Sequence, residues 1–409
     1  MLKTDSIKHY TMAVIFTMLW LSMGLKESIN SAFNILFILT VIFWGQRQNA
    51  WENIKREPVV FALGSWTLLY LLGLLYSENM ADAQRRLMIK SMFLLMPIAL
   101  VVAYPTIGQR RLKQVLLLAP SLFALLCLIR ASLRFFGEGD FQYDTAVFMY
   151  YRLSAWIMHP NYMMLVIGSG VIIAWWERIN NRPIFTKTAD EVLWWFLLIF
   201  SGIFLQARTG FVILIALLTV AAIWRLHATL KSYWKSFIIY PLVALTLVFS
   251  LPNEFGKRYL VNVSTEFIPD DNKDTSLSGR LVIWNMCLKC WKEALVFGHG
   301  SGDAVWRLHE IYKENDFYSG IKDKYNCHNQ YLETAIAFGL PGLLVILLLP
   351  LSILVYYRKN AAVMPLVIFV ALVYGSMFFE SILERHKGVM IVAVVGTALA
   401  LLSKEDREI

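Results

Sequence analysis

Long apolar runs, separated by short polar segments, make up most of this chain. A bilayer core is crossed by about 20 predominantly apolar residues, and lipid forces each crossing segment to satisfy its own backbone as a helix. The pattern predicts twelve such spans, near 9–24, 29–45, 59–76, 87–104, 114–130, 158–176, 192–206, 208–225, 236–252, 340–357, 361–380 and 387–403. We therefore expect an all-α polytopic integral membrane protein.

The composition agrees with this pattern and narrows the classes of molecule that the protein is expected to bind. Of 409 residues, 58% are hydrophobic and 16% are charged, with a formal net charge of +9. In a membrane protein, such an excess of positive charge is explained by basic loops that bind anionic lipid headgroups. The charge therefore gives no support to nucleic-acid binding, and we expect membrane lipids as partners instead.

The basic residues also indicate an orientation, because short loops rich in Lys and Arg stay on the cytoplasmic side. With both termini cytoplasmic, eighteen basic residues lie in inner loops and tails, and about half as many lie outside. The outer ones are Lys26, Arg85, Arg86, Arg130, Arg134, Arg152, Arg208, Arg385 and Lys387. The predicted organisation is 1–252 with spans one to nine, 253–339 as a large outer loop, and 340–409 with spans ten to twelve and a cytoplasmic tail.

The outer loop carries the candidate chemistry. Arg280 begins a predicted helix near 280–297, and His328 opens a short helix that the glycines at 339 and 342 interrupt before span ten. Arg208 lies in a tight outer loop between spans seven and eight. A guanidinium grips phosphate oxygens through two donors, and an imidazole serves as general base or acid near neutral pH. Taken singly, each residue also fits an interfacial anchor or a polar helix end, and the residues alone leave both roles open.

Metal binding is not favoured. Residues 270–274 are acidic but irregularly spaced around a lysine, and Cys287 and Cys290 form one CxxC without a second. A disulfide from Cys327 to one of this pair is more plausible in an oxidising outer compartment. It would tie the histidine segment to the arginine helix. We expect no cofactor.

Several short motifs together resemble the O-antigen ligase and polymerase superfamily. They are Arg208-Thr209-Gly210, Ser278-Gly279-Arg280 with Trp284 after it, the Gly-rich stretch Gly298 to Gly302, His328-Asn329-Gln330-Tyr331-Leu332, and Gly339-Leu340-Pro341-Gly342. The resemblance covers roughly 200–345 by motif and the whole chain by topology. It implies that Arg208 and Arg280 are the two essential arginines of the family and that His328 is its essential histidine.

The same resemblance implies further site residues and a reaction. His159, at the start of His159-Pro160-Asn161-Tyr162, Tyr162 itself and Asn329 are expected to bind substrate. The fold is expected to be GT-C-like, with short helices in a periplasmic loop. The activity is expected to be an inverting, metal-independent transfer of a glycan from undecaprenyl diphosphate to a sugar hydroxyl of the lipid A core. This reaction belongs at the periplasmic face of the bacterial inner membrane.

Three alternatives stay open from the sequence. A polymerase would use a carrier-linked repeat as acceptor, and a protein O-oligosaccharyltransferase would use a side-chain hydroxyl. One dominant outer loop favours the ligase, whereas a second outer loop at 131–156 keeps the polymerase in view. A transporter or flippase also commonly has twelve spans, but polar residues here gather on one side, without the two matching broken helices of inverted repeats. The outer-facing charges Arg85, Arg86, Arg130, Arg134, Arg385 and His386 are candidates for an acceptor path, although each taken singly fits an interfacial anchor better.

Overall fold

The computed structural model describes residues 2–45, 49–137, 142–182, 184–185, 187–227 and 277–404. Over these residues the chain is helical, without strands. Its α-helices are α1 Leu2–Ser22, α2 Glu27–Trp44, α3 Ala50–Lys55, α4 Pro58–Gly73, α5 Met80–Lys90, α6 Met92–Ile107, α7 Gln109–Phe136, α8 Tyr150–Ser154, α9 Pro160–Ile179, α10 Thr188–Phe204, α11 Arg208–His227, α12 Leu277–Glu293, α13 Ala304–Glu314, α14 Tyr318–Lys322, α15 Gln330–Tyr357, α16 Met364–Ser376 and α17 His386–Leu402. Single 3-10 turns lie at Thr145–Phe148 and Ile382–Glu384.

Helices lie at every predicted span within the described residues, and the predicted span at 236–252 falls outside them. Five described helical segments are long and apolar enough to cross a membrane: Glu27–Trp44, Met80–Ile107, Gln109–Phe136, Pro160–Ile179 and Gln330–Tyr357. The second of them comprises α5 and α6, which follow each other without a loop. Four apolar helices are shorter: Pro58–Gly73, Arg208–Ala222, Met364–Ser376 and His386–Leu402. The all-helical membrane class is confirmed, and the count of twelve stays a prediction.

Two boundaries differ from the sequence prediction. The helix that contains the fifth predicted span, 114–130, is longer than that span, because α7 covers Gln109–Phe136. The arginine helix covers Leu277–Glu293 rather than 280–297, since the chain turns back toward α15 just after it. At this turn Gly298 has a φ of 69°, which a glycine adopts without the steric cost of a side chain.

The membrane bundle is closed by packing between helices distant in sequence. The C-terminal α17 packs against α6, and α15 packs against both α4 and α12. Fully buried aromatic side chains such as Trp20, Trp66 and Tyr357 fill this interior. Large apolar side chains on α2, α10 and α15 point outward, where Phe43 is 69% exposed. Such an outward apolar surface suits contact with lipid rather than water.

The helix α15 is broken at Gly339, as the sequence predicted. Gly339 is non-helical, with φ 58° and ψ −141°, and a Cβ there would stand 2.3 Å from the Val296 carbonyl oxygen. The break frees backbone groups that pair with the loop: Leu340 N–H donates to Val296 O at 3.0 Å, and His299 N–H donates to Ile336 O at 2.8 Å. The polar loop therefore joins the bundle at the centre of a broken helix.

A second junction joins the Gly-rich stretch to the turn between α4 and α5. The Asp303 carboxylate accepts the N–H groups of Glu78 at 2.8 Å and Asn79 at 2.9 Å, and Gly302 N–H donates to Ser77 Oγ at 3.1 Å. The glycines allow the two backbones to approach this closely. They act in packing, and their N–H groups face the protein.

Candidate functional site

His328 is held in a strained turn directly before α15. Its φ is 44°, a left-handed value that costs a non-glycine residue about 1–3 kcal/mol and that concentrates at functional sites. Its own N–H donates to Asn326 Oδ1 at 3.0 Å. Asn329 follows as the helix cap, with Oδ1 accepting the N–H groups of Tyr331 at 3.0 Å and Leu332 at 3.1 Å. These bonds fix the imidazole at the end of the helix bundle.

A disulfide ties this turn to the arginine helix. Cys327 is bonded to Cys287, with Cα atoms 6.2 Å apart, and Cys327 N–H donates to Glu333 Oε2 at 3.0 Å. The predicted link to one of the CxxC cysteines is confirmed, and Cys287 is the partner. Cys290 stays a buried free thiol. Glu333 holds the backbone beside the histidine, and it does not orient the imidazole itself.

Replacing Cys287 and Cys327 together with serine is expected to lower the free energy of unfolding by about 2–4 kcal/mol, because the crosslink no longer restricts the unfolded chain. Thermal unfolding of the purified protein in detergent, with and without a thiol reductant, measures this loss. Cys290→Ala is the matched control, since it removes a neighbouring buried thiol and leaves the crosslink in place. A reductant that lowers the unfolding temperature of the double variant as much as that of the native chain would contradict the assignment.

Glu380, from the loop between α16 and α17, faces the imidazole. Its Oε1 lies 3.7 Å from His328 Nδ1, and its Oε2 accepts from Asn161 Nδ2 at 2.7 Å. The Asn161 backbone N–H in turn donates to His159 Nδ1 at 3.2 Å. The carboxylate thus joins the segment His159 to Tyr162 to the catalytic candidate. The 3.7 Å separation is an ion-pair distance, longer than a hydrogen bond, and such contacts often shorten once substrate is bound.

The electrostatics keep this carboxylate ionised. Burial alone would raise the pKa of Glu380, but the neighbouring His328, His159 and Asn161 outweigh it and hold the pKa at about 2. Burial lowers the pKa of His159, with Glu380 opposing that effect. His159 is therefore neutral near pH 7, as its acceptor role at Nδ1 requires.

The start of α15 also holds the 377–385 loop that carries Glu380. Gln330 N–H donates to Met377 O at 2.8 Å, and the Gln330 side chain accepts Leu383 N–H at 2.7 Å and donates to Glu384 at 3.0 Å. Asn329 Nδ2 donates to Phe378 O at 3.2 Å. The histidine and its carboxylate partner are therefore positioned by one shared helix end.

A buried ion network fixes the other side of the same loop. Arg86 donates to Glu384 at 2.8 Å and to Asp82 at 3.0 Å. Lys90, only 1% exposed, contacts the Leu383 carbonyl and lies 3.2 Å from Glu384. The prediction that Arg86 lines an outer acceptor path is wrong, because its guanidinium is turned inward and paired. Buried charges are tolerated only when paired and hydrogen-bonded in this way.

Of the two predicted arginines, Arg280 lies on α12, the helix that contacts the 377–385 loop through Trp284. It is in the first turn of α12, half-buried, and its charge acts on His159. One turn further, Trp284 contacts the ring of Phe379 with centroids 6.1 Å apart. Within the described part of the chain, the Arg280 guanidinium makes no hydrogen bond or ion pair, which leaves its donors for a ligand.

Arg208 begins α11 at the same end of the bundle. Two residues on, the backbone of Gly210 packs so closely that a Cβ would stand 3.0 Å from Met164 and 3.7 Å from Ser376 Oγ. Met164 belongs to the helix that follows His159, and Ser376 ends α16 directly before the 377–385 loop. The tight loop therefore lies beside the elements that hold Glu380.

The remaining predicted residues have different surroundings. Tyr162 is 3% exposed, with its ring 5.9 Å from that of His159. Asn329 is 7% exposed, and its amide serves the helix cap and the 377–385 loop. Sequence reasoning missed Glu380 and Asn161. The available signals were two acidic residues, Glu380 and Glu384, in an otherwise largely apolar loop, and an amide inside a motif already noted.

The described residues contain no group of three or more His, Cys, Asp or Glu side chains that could hold a metal ion. The acidic residues 270–274 lie outside the described part of the chain.

Within the described residues, a histidine, a carboxylate and an arginine without a protein partner lie at one end of an all-helical bundle, whose long apolar helices are typical of a polytopic membrane protein. Residues 193–347 match the family model described as O-antigen ligase, and this match confirms the predicted resemblance to the O-antigen ligase and polymerase superfamily over that segment. The matched segment contains Arg208, Arg280 and His328. The match is consistent with a glycosyltransferase of the O-antigen ligase or polymerase type.

A relative in Haemophilus influenzae carries the name uncharacterized protein. It is 33% identical over 122 residues, which cover 29% of this chain and 30% of that protein. The similarity thus extends over less than a third of either chain.

Proposed function

We propose that this protein is an inverting, metal-independent glycosyltransferase that moves a glycan from undecaprenyl diphosphate to a sugar hydroxyl of the lipid A core. The observation that carries the proposal is the contact between His328 Nδ1 and the ionised Glu380. The imidazole is 30% exposed while its Nδ1 is buried, so Nε2 is the nitrogen that faces a bound substrate. An imidazole held in this way can take a proton at Nε2.

In the proposed reaction, His328 Nε2 removes the proton from an acceptor hydroxyl. That oxygen forms the new bond to the anomeric carbon, while the bond to the diphosphate breaks on the opposite face and its electron pair stays with the diphosphate oxygen. The carboxylate of Glu380 stabilises the imidazolium as it forms. General base catalysis of this kind contributes about 10² to 10⁴ in rate.

Arg280 and Arg208 are assigned to the leaving diphosphate. Both begin helices that pack near the loop of Glu380, and among the described residues Arg280 has no hydrogen-bond or ion-pair partner. A bond from an arginine to a phosphate is worth about 1.5–3 kcal/mol and grows as negative charge develops on the leaving group. We assign His159 and Asn329 mainly to positioning, and Tyr162 to the wall beside His159.

The proposal places the protein in a bacterial inner membrane, with both termini cytoplasmic and the loop of 253–339 periplasmic. The disulfide supports this orientation, because such bonds form and persist in oxidising compartments.

Purified protein in detergent, given an undecaprenyl-diphosphate-linked glycan and either lipid A core or carrier-linked repeats, tests the acceptor. We expect transfer to the lipid A core that persists in the presence of a chelator. A ladder growing on the carrier would instead identify a polymerase. Transfer to neither acceptor would overturn the ligase proposal and direct the search to protein hydroxyls or to transport.

A further inference from the structure

The outer basic residues differ in what they contact. Arg85 pairs with Asp82 at 2.6 Å, and Arg130 stacks over the Trp156 ring at 4.8 Å. His386 is buried, where its Nε2 lies 3.0 Å from Asn30 Oδ1. These contacts fully explain the three residues as parts of the fold, so they need no ligand.

Arg385 differs from this group. It is exposed, and within the residues that the structure describes its guanidinium makes no hydrogen bond or ion pair. It follows the 3-10 turn Ile382–Glu384, at the end of the loop that carries Glu380. An arginine on the outer side, against the usual charge bias and without a protein partner, has its donors free for an anion.

A tyrosine lies beside His159, which hydrogen bonds of Asn161 link to Glu380. Tyr151 is 48% exposed, and its ring meets that of His159 edge-on, with centroids 4.8 Å apart. The preceding Tyr150 has a φ of 47° and packs on Tyr151 at 4.8 Å. A strained backbone that presents an exposed aromatic ring beside a positioning residue such as His159 is a feature typical of binding sites.

Electrostatic effects connect the two side chains. Burial raises the pKa of Tyr151, as do Tyr150 and Glu380, and the charge of Arg385 opposes this rise. Burial lowers the pKa of His159, and Arg385 adds to that effect. Arg385 therefore acts on both rings that lie beside Glu380.

Resting on the proposed function, we propose that Tyr151 and Arg385 form the acceptor subsite. The ring of Tyr151 packs on the carbon-bearing face of the acceptor pyranose, and Arg385 binds a phosphate or carboxylate of the same acceptor. An inverting displacement places acceptor and leaving group on opposite faces of the anomeric carbon. It therefore needs a recognition site for the acceptor in addition to the arginines assigned to the diphosphate.

The test measures the KM for acceptor, the KM for donor, and equilibrium binding of a lipid A core oligosaccharide to the full-length protein in detergent. The oligosaccharide is used intact, after phosphatase treatment, and after conversion of its carboxylates to amides. Arg385→Gln is expected to weaken binding of the intact probe about tenfold, the loss of one charge-assisted bond. The substitution should have no effect on the binding of the probe that lacks the anion bound by Arg385. If that is the phosphatase-treated probe, the anion is a phosphate. If it is the amidated probe, the anion is a carboxylate.

Tyr151→Ala is expected to raise the KM for acceptor about tenfold with all three probes, while the KM for donor is unchanged, and Tyr151→Phe should restore most of the loss because the ring is retained. The matched controls are Tyr318→Ala, an exposed tyrosine on α14, and Arg85→Gln, both expected to leave the KM for acceptor unchanged.

The outcomes separate this subsite from the proposed function. Failure of the native protein to bind any of the probes, a rise in the KM for donor in either variant, or an equal effect of Arg385→Gln on all probes would overturn the subsite, even if transfer proceeds. Binding that depends on Tyr151 and Arg385 without any transfer would support the subsite and overturn the proposed chemistry.

Discussion

His328→Gln is expected to lower kcat for glycan transfer by about 10² to 10⁴, because glutamine fills a similar space but cannot take a proton from the acceptor. Purified variant and native protein are compared at saturating donor and acceptor. Thermal unfolding in detergent shows whether the variant is folded, which we expect because the turn is fixed by backbone bonds and the disulfide. Near-normal transfer by a folded variant would remove the assigned role of this histidine.

Glu380→Gln tests whether the charge of this carboxylate acts on His328, because the amide can still accept the hydrogen bond of Asn161 but carries no charge. We expect a smaller loss of kcat than with His328→Gln. The acidic limb of the pH–rate profile should move to lower pH, because an imidazolium without an anionic neighbour gives up its proton more readily. A merely structural role for Glu380 would lower kcat and leave the profile where it was.

Arg280→Ala is expected to lower kcat/KM for the donor by about 10² to 10³, the effect of removing one preorganised donor to a developing negative charge. Steady-state kinetics with varied donor at fixed acceptor measures this change. Arg280→Lys should recover only part of the loss, because an ammonium lacks the two-pronged geometry of guanidinium.

The control for this variant is Arg85→Ala, which removes an arginine that is 66% exposed on its side chain and paired with Asp82. It should leave donor kinetics unchanged. If Arg280→Ala raised only the KM for acceptor, the arginine would belong to the acceptor side, and the assignment to the diphosphate would be wrong.

The parts of the site that depend on neighbouring residues were predictable from sequence. The glycine break in α15, the helix cap around His328 and the arginine at the start of α12 all follow from local signals such as Gly, Asn and helical periodicity. The disulfide was predictable as a link to one of two cysteines, and the choice of Cys287 depends on which helix face meets the histidine turn.

The partners of these residues were not predictable, because they come from remote elements. Arg86 and Glu384 are 298 residues apart, so the inward pairing of an apparently exposed arginine has no local signal. Glu380 is similar, because an acid in a loop between two apolar helices is expected to face water. The hydrogen bonds of Gln330 and Asn329 to the 377–385 loop instead hold that acid toward the imidazole.

The two junctions, one at Gly339 and one at Gly302 and Asp303, have a consequence for modularity. The polar region is bonded both into the interrupted helix and into the turn after α4, so it is not an appendage on a separate membrane anchor. A chimaera that exchanges the region from 277 to 326 between family members would carry over half of each junction and lose the other half. An exchangeable unit in this architecture must therefore include residues 77–79 and the segment around 336–340. Substrate specificity that depends on the polar region can then change only when these distant segments change with it.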